Sequence, residues 1–128
     1  MRVLLDTSVL LGPEPDLGDA DVAISAISLA ELHFGVLVAR TAEVRAERLR
    51  RLGLIEKTFD ALPVDDAVAR EYGRLAAAVV QTGRQSRPRV ADLLIAATAR
   101  THAAEVWTRN GDDLVGLESL VTIRSITT

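Results

Sequence analysis

Val3-Leu4-Leu5-Asp6 opens the chain with an unbroken apolar run that ends at a carboxylate. A short run of this kind is typical of a parallel strand that is buried on both faces. Strand and helix patterns alternate after it, which predicts an α/β fold with a central parallel sheet covered by helices. Ligands of such sheets bind outside the carboxyl ends of the strands. Asp6 therefore lies where a site is expected.

The other elements are predicted from hydrophobic spacing and from turn residues. Strands are expected at 22–26, 61–64, 106–108 and 120–126. Helices are expected from Ser28, at 41–57, from Asp65-Asp66, at 90–103 and, as a short turn, at 112–116. Between the first two strands, residues 11–20 contain two glycines and two prolines, which predict a loop.

Composition limits the possible classes of protein. A length of 128 residues with 48% hydrophobic content suits a single domain, 1–128, with an aliphatic core. The net charge of −3 argues against nucleic-acid binding through bulk positive charge. Without cysteine, the chain has neither a disulfide nor a thiolate metal site. The sequence shows no membrane span and no signal peptide, so the cytoplasm is the expected location.

Four acidic residues are candidates for chemistry: Asp6, Glu31, Asp92 and Asp113. Each also has a structural explanation. Asp6 could open a turn, and Glu31 could complete a capping box that begins at Ser28. Asp92 could lie in the first turn of a helix, where the helix dipole favours an acid, and Asp113 could simply follow an N-cap at Asn110.

The neighbours of these acids favour a functional explanation. On a helix, Glu31 would share a face with the apolar residues at 27, 30, 34 and 38, and Asp92 would share one with the alanines at 96, 99 and 103. A carboxylate held against a core is costly unless something satisfies it. Carboxylates that cluster without Cys or His indicate a Mg²⁺ or Mn²⁺ site. Such a site suits hydrolysis of phosphodiesters, because the ion activates water and offsets phosphate charge.

Four segments of the chain resemble the PIN domain, and in particular its VapC-type toxin ribonucleases. They are residues 4–10 (LLDTSVL), 28–32 (SLAEL), 91–99 (ADLLIAATA) and 108–114 (TRNGDDL), in the order of the family. One segment alone would be weak evidence, but the four together are a specific signal. The resemblance implies a three-layer α/β/α sandwich with a central parallel sheet. It also implies Mg²⁺- or Mn²⁺-dependent cleavage of RNA.

The same resemblance implies roles for individual residues. The acidic quartet that would hold one or two metal ions and carry catalysis is Asp6, Glu31, Asp92 and Asp113. The groups that would position the quartet or the backbone around it are Thr7, Ser8, Thr108 and Asn110. Asp112 is the substitute for Asp113, because the family motif ends in Asn, two residues, Asp and Phe, and Leu114 stands in place of the Phe.

A basic break at 82–89 (TGRQSRPR) precedes the predicted helix of Asp92. Its arginines, Arg84, Arg87 and Arg89, are predicted to contact RNA phosphates beside the metal ions, and a solvated basic loop is the alternative. The two histidines, His33 and His102, are expected to be structural or surface residues. Trp107 is expected to pack within its strand.

The implied role is the toxin of a VapBC-type pair. The resemblance implies an RNA substrate, with transfer RNA a common target, and a homodimer. A VapB-like antitoxin would inhibit the protein by placing an Arg or another group at the acidic site. One alternative is a non-catalytic module of the same fold that only binds RNA or metal. A phosphoryl-transfer signalling domain is disfavoured, since it needs a lysine near a late strand and the only lysine, Lys57, falls in a predicted helix.

Overall fold

The computed structural model describes residues 1–127, and within them it contains five strands and five α-helices. The strands are β1 (Arg2–Leu5), β2 (Asp21–Ser25), β3 (Asp60–Leu62), β4 (Glu105–Thr108) and β5 (Ile123–Ser125). The α-helices are α1 (Thr7–Leu11), α2 (Ala26–Leu37), α3 (Ala42–Thr58), α4 (Asp66–Gln81) and α5 (Val90–Thr101). Short 3-10 turns lie at Arg87–Arg89 and Gly111–Leu114.

The strands form one parallel sheet in the order β3-β2-β1-β4-β5. β1 is central, and its Leu4 is paired with Ala23 on one side and Val106 on the other. The chain moves outward from β1 through β2 to β3, and then continues on the other side of β1 with β4 and β5. The strand order therefore reverses between β1 and β4, which is where open α/β sheets place their binding crevice.

Helices cover both faces of the sheet, which confirms the predicted α/β/α layers. Side chains of β1 alternate between the two faces, as strand geometry requires. Leu4 packs into a core built mainly by α4 and α5, whereas Val3 and Leu5 pack into a second core with residues of α1, α2 and α3. All three side chains are essentially inaccessible to solvent, as the uninterrupted apolar run predicts for a strand buried on both faces.

The start of α2 differs from the prediction. The second strand ends at Ser25 rather than 26, and the helix begins at Ala26 rather than Ser28. Ser25 is the N-cap residue, because its hydroxyl oxygen accepts a hydrogen bond of 3.0 Å from the backbone N–H of Ile27. The capping box between Ser28 and Glu31 is therefore wrong, since Ser28 lies inside the helix.

The buried face of α2 also differs from the prediction. Its buried residues are Ser28, Leu32 and Val36. The residues that were expected to form the core stripe with Glu31 lie elsewhere: 30, 34 and 38 are exposed, and 27 is half-buried. The helix is apolar on more than one side, so spacing alone could not identify the side that faces the core.

The other elements agree with the prediction to within a few residues. The predicted strands at 61–64 and 120–126 are shorter, at Asp60–Leu62 and Ile123–Ser125. The helix predicted at 90–103 ends at Thr101, and Ala103 lies beyond it with a positive φ of 52°, so Ala103 does not share a helix face with Asp92. The short helix α1 was not predicted. Within residues 1–127, no helix is long and apolar enough to span a bilayer.

Candidate active site

The candidate site lies at the carboxyl ends of the three central strands. Asp6 directly follows β1, Ser25 ends β2, and Thr108 ends β4. Because β1 pairs with both β2 and β4, these ends are neighbours at one edge of the sheet. The sheet register thus places residues from distant parts of the sequence in one location.

Asp6 has a structural role as well as a place in the site. It is the N-cap residue of α1, and its Oδ1 accepts hydrogen bonds from the backbone N–H of Val9 (3.2 Å) and the hydroxyl of Ser8 (2.6 Å). Only 8% of Asp6 is exposed. A nearly buried carboxylate with two fixed donors has little orientational freedom, so α1 aligns this group for the site.

Hydroxyl groups hold Glu31 in a similar way. Thr7 donates a hydrogen bond of 2.6 Å to Glu31 Oε1, and the Thr7 and Ser28 hydroxyl oxygens are 2.9 Å apart. A hydroxyl has one proton, so Ser28 must donate to Thr7 when Thr7 donates to Glu31. Ser28 is fully buried, whereas Glu31 is exposed. The expectation that Glu31 lies against the core is therefore wrong, although its contact with Thr7, the residue after Asp6, places it near the predicted site.

Ser8 joins the end of β4 to the first turn of α1. Its hydroxyl oxygen accepts a hydrogen bond of 2.9 Å from the backbone N–H of Arg109 while its proton goes to Asp6. Thr108 lies 3.4 Å from the same oxygen and accepts a hydrogen bond of 3.0 Å from the backbone N–H of Asn110. Thr7 and Ser8 therefore each hold one acid through a short hydrogen bond, and Thr108 contacts the Ser8 hydroxyl and the backbone of Asn110. Asn110 takes part through its backbone N–H, which donates to Thr108. Its side chain does not cap the 3-10 turn that follows.

Asp92, in the first turn of α5, completes the acidic set. Burial, together with the negative charges of Asp113, Glu31 and Asp6, raises the pKa of Asp92 from 3.8 to about 6, and Arg89 opposes the increase. The charges of Asp113, Glu31 and Asp6 act on Asp92, so each of these three acids lies within electrostatic range of it. Asp113 is one of the charges that raise the pKa of Asp92, and Asp112 is not. This favours Asp113 over Asp112 as the fourth acid of the set.

Arg89 is the one arginine of the basic break that the structure links to these acids. Its Nη1 donates a hydrogen bond of 2.7 Å to the backbone carbonyl of Asp113, which ties the start of α5 to the turn after β4. Arg84 and Arg87 are exposed, and their predicted contact with RNA stays a prediction. His33 is exposed beside Glu56, at 3.6 Å.

The acids suit a hard divalent cation that keeps several of its water ligands, such as Mg²⁺. Within residues 1–127, no three Asp, Glu or His side chains are close enough to form a ready-made metal cluster. Mg²⁺ rarely needs one, because it keeps several waters and binds through one or two carboxylates plus substrate phosphates. The donor set offers carboxylate oxygens in a region of repelling negative charge, which a small divalent cation would relieve.

Sequence reasoning did not identify the role of Ser28, which it assigned to a helix cap. Ser28 and Glu31 are three residues apart, so both lie near the same side of α2. A small polar residue at that spacing from a candidate acid was the available signal. The hydrogen bond through Thr7 depends on how α1 and α2 pack, and no local pattern shows this.

In EDTA, Asp92→Asn is expected to stabilise the protein at pH 7. The pKa of Asp92 is about 6 when folded, above its ordinary 3.8, so the folded state holds this proton more tightly than the unfolded state. Stability therefore falls as pH rises between these two values and stays reduced above them. After allowance for solvent screening, the gain is about 1 kcal/mol, or about 3–5 °C in Tm.

Thermal unfolding at pH 7 and pH 5 tests this expectation. The gain should shrink by about half at pH 5, where folded Asp92 is mostly protonated. Asp66→Asn is the matched control. Asp66 lies in the first turn of α4, where its negative charge interacts favourably with the helix dipole, so this variant should be slightly less stable than the wild type. An equal gain at both pH values would contradict the assignment of charge repulsion at Asp92.

Comparison with known proteins identifies the family. The PIN domain profile matches residues 3–115. Ribonuclease VapC5 from Mycobacterium tuberculosis (strain ATCC 25618 / H37Rv) is 39% identical over 129 positions, which cover 96% of this chain and 93% of the relative. Ribonuclease VapC4 from the same strain is 33% identical over 117 positions, which cover 87% of this chain and 88% of the relative.

Solved structures agree with the sequence comparison. VapBC-5 from Mycobacterium tuberculosis, a member of the VapBC family of toxin–antitoxin systems, superimposes with a TM-score of 0.83 at 37% identity and covers 99% of this chain and 98% of its own. FitAcB from Neisseria gonorrhoeae superimposes with a TM-score of 0.76 at 30% identity, covering 94% and 95%. This chain therefore belongs to the PIN domain family and, within it, to the VapC-type group.

Proposed function

We propose that the protein is a Mg²⁺- or Mn²⁺-dependent endoribonuclease that acts in the cytoplasm as the toxin of a toxin–antitoxin pair. The observation that carries the proposal is the electrostatic effect of Asp6, Glu31 and Asp113 on Asp92 at the carboxyl end of the sheet. Concentrated like charge is costly without a cation, and the oxygen donors suit a hard one. The relatives named ribonucleases support RNA as the substrate.

The residues of this chain have separable tasks in the proposed reaction. Asp6 and Glu31 are held by the hydroxyls of Ser8 and Thr7, so their oxygens are oriented before substrate binds. Asp92 and Asp113 complete the donors for the ion. The chemistry that such an ion supplies is activation of water for attack on phosphorus and neutralisation of phosphate charge.

The proposed partner is a VapB-like antitoxin. Support comes from solved relatives that are toxin–antitoxin proteins of the VapBC family, such as VapBC-5. An antitoxin group with positive charge would complement the acidic site, as the family resemblance implies. The homodimer and the choice of transfer RNA stay predictions.

The decisive experiment incubates the purified protein with total RNA in Mg²⁺, in Mn²⁺ or in EDTA. We expect discrete cleavage products with either metal ion and none with EDTA. Asp92→Asn should lose the activity, while the matched variant Asp66→Asn should keep it. If the wild-type protein is folded but cleaves no RNA with any metal ion, the proposal fails and the non-catalytic binding module of the same fold replaces it.

Ser8→Ala is expected to lower the cleavage rate at limiting Mg²⁺ about 10–100-fold. The change removes the hydroxyl that donates to Asp6 and accepts from the Arg109 N–H, and loss of such outer contacts weakens metal sites by this factor. A Mg²⁺ titration of the rate measures the effect, and high Mg²⁺ should restore part of the activity. Ser119→Ala, at an exposed serine, is the control. A Ser8→Ala protein with the wild-type Mg²⁺ dependence would rule out this positioning role.

A further inference from the structure

A groove of about 570 Å³ lies beside the acidic site, where α2 meets α3 and α1. Thr7 and Glu31 line this groove, and both also belong to the acidic site. The opposite wall contains Arg48 and Arg51 of α3, and Phe34 of α2 also lines it. A substrate that extends from the acids in this direction would therefore enter a space with cationic and apolar walls.

Neither of the two arginines forms an ion pair within the described residues, although the charge of Arg51 helps to lower the pKa of Glu47. Arg48 Nη1 donates to the carbonyl of Gly35 at 2.7 Å, and Arg51 donates to the carbonyls of Leu10 and Gly12. Within residues 1–127, neither guanidinium has a carboxylate at ion-pair distance. A guanidinium has five N–H donors, so each arginine retains donors for a further acceptor. The chemistry of this wall suits an anion that accepts hydrogen bonds, such as a phosphate.

Phe34 gives the groove an exposed aromatic surface. The chain has four aromatic residues, and Trp107, Phe59 and Tyr72 are buried or half-buried. Phe34 is 66% exposed, and Leu11 beside the same groove is 63% exposed. An exposed ring next to unpaired arginine charge is the combination that binds unstacked nucleobases together with their phosphates.

We propose, on the basis of the ribonuclease function above, that this groove binds one nucleotide of single-stranded RNA adjacent to the cleaved phosphate. Arg48 and Arg51 contact phosphate oxygens, and Phe34 stacks against an unpaired base. The charge of the wall and the continuity of the groove with Glu31 support this occupant. A base within a duplex is already stacked on both faces, so only an unpaired base can stack on Phe34.

The test measures binding of a fluorescein-labelled 12-nucleotide single-stranded RNA by anisotropy, in EDTA and at several KCl concentrations. Arg48→Gln is expected to weaken binding about 5–10-fold and to lower the slope of log K against log salt by about 0.7, the value for one phosphate contact. Phe34→Ala is expected to weaken binding about 10-fold without a change in slope, and Phe34→Trp should retain affinity. Arg51 is left unchanged, because it also supports the chain after α1.

Two matched variants control for charge and for apolar surface outside the groove. Arg45→Gln makes the same change on α3, where Arg45 contacts the carbonyl of Ala39. Leu37→Ala removes a side chain of α2 that is 75% exposed. Both should bind RNA as the wild type does. A blunt-ended RNA duplex of 12 base pairs has no unpaired base, so Phe34→Ala and the wild type should bind it equally.

The outcomes separate this inference from the proposed function. If Arg48→Gln and Phe34→Ala bind the single strand with wild-type affinity and slope, the groove is not an RNA site, although the protein can still cleave RNA. If they bind RNA normally but lose affinity for an antitoxin chain, the groove is a polypeptide site and the inference is overturned. Failure of wild-type cleavage with every metal ion overturns the proposed function itself.

Discussion

Asp6→Asn is expected to lower the rate of RNA cleavage about 1,000-fold or more while the protein remains folded. Asp6 directly follows the central strand, is nearly buried, and its negative charge acts on Asp92, so we expect it to bind the ion. A metal ion at such a site contributes several kcal/mol to the transition state, and about 1.4 kcal/mol corresponds to a factor of ten in rate. The loss of one anionic ligand is therefore expected to remove nearly all activity.

The fold should tolerate this change because Asn is as good an N-cap residue as Asp. The amide oxygen can still accept from Val9 N–H, where Asp6 Oδ1 now accepts at 3.2 Å. Asp6→Ala should add a loss of about 1 kcal/mol in stability, since it removes the cap of α1. Cleavage of total RNA and thermal unfolding, measured on both variants, separate the two roles.

Asp65→Asn is the matched control for Asp6→Asn. Asp65 is also an N-cap aspartate, accepting from the backbone N–H of Val68 at 3.0 Å, and it is not among the charges that act on Asp92. It should show wild-type activity and stability. A cleavage rate for Asp6→Asn within about tenfold of the wild type would show that Asp6 acts only as a helix cap.

Leu75→Ala is expected to lower the free energy of unfolding by about 3 kcal/mol. Leu75 is fully buried on α4 and packs in the core that α4 and α5 form over the sheet. Truncation of this side chain removes apolar contacts and leaves a cavity. The loss is large because the whole free energy of unfolding of such a domain is only about 5–15 kcal/mol. Urea unfolding followed by circular dichroism measures the change as a lower midpoint.

The location of Leu75 also predicts that Leu75→Ala should keep the activity of the folded protein. Activity per folded molecule at low temperature should change little, because none of the four acids is on α4. Val80→Ala is the control on the same helix, since Val80 is 58% exposed, and its effect should stay within about 0.5 kcal/mol. A Leu75→Ala midpoint equal to that of the wild type would mean that the α4–α5 core tolerates the cavity by collapse.

The sequence predicts the sheet and the later helices well because their signals are local. The apolar run of β1 and the face of α4, with Val68, Leu75 and Val79, correspond to buried surfaces in the structure. Asp65 is the N-cap residue of α4 and Asp66 begins the helix, as the sequence predicts. In these elements, one side only is apolar or the whole run is buried, so the pattern has one interpretation.

Other features depend on tertiary packing and could not be predicted from local patterns. α1 has five residues, too few for hydrophobic periodicity to reveal a helix. α2 exposes Phe34 and Leu37, and its C-cap residue Val38 is also exposed, so its apolar residues did not identify the core side. The acids were predicted from motif resemblance and strand ends, whereas the hydrogen bonds from Thr7 and Ser8 required the packing of α1 against its neighbours.

The central position of β1 has a consequence for how this protein is synthesised. Leu4 and Leu5 are translated about 100 residues before their partners Val106 and Trp107. At about 5–20 residues per second, the interval between Asp6 and Asp113 is roughly 5–20 s of translation. The nascent chain cannot assemble its acidic centre during that interval. The ribosome and messenger that produce the protein are thus exposed to a complete centre only when nearly the whole domain has been translated.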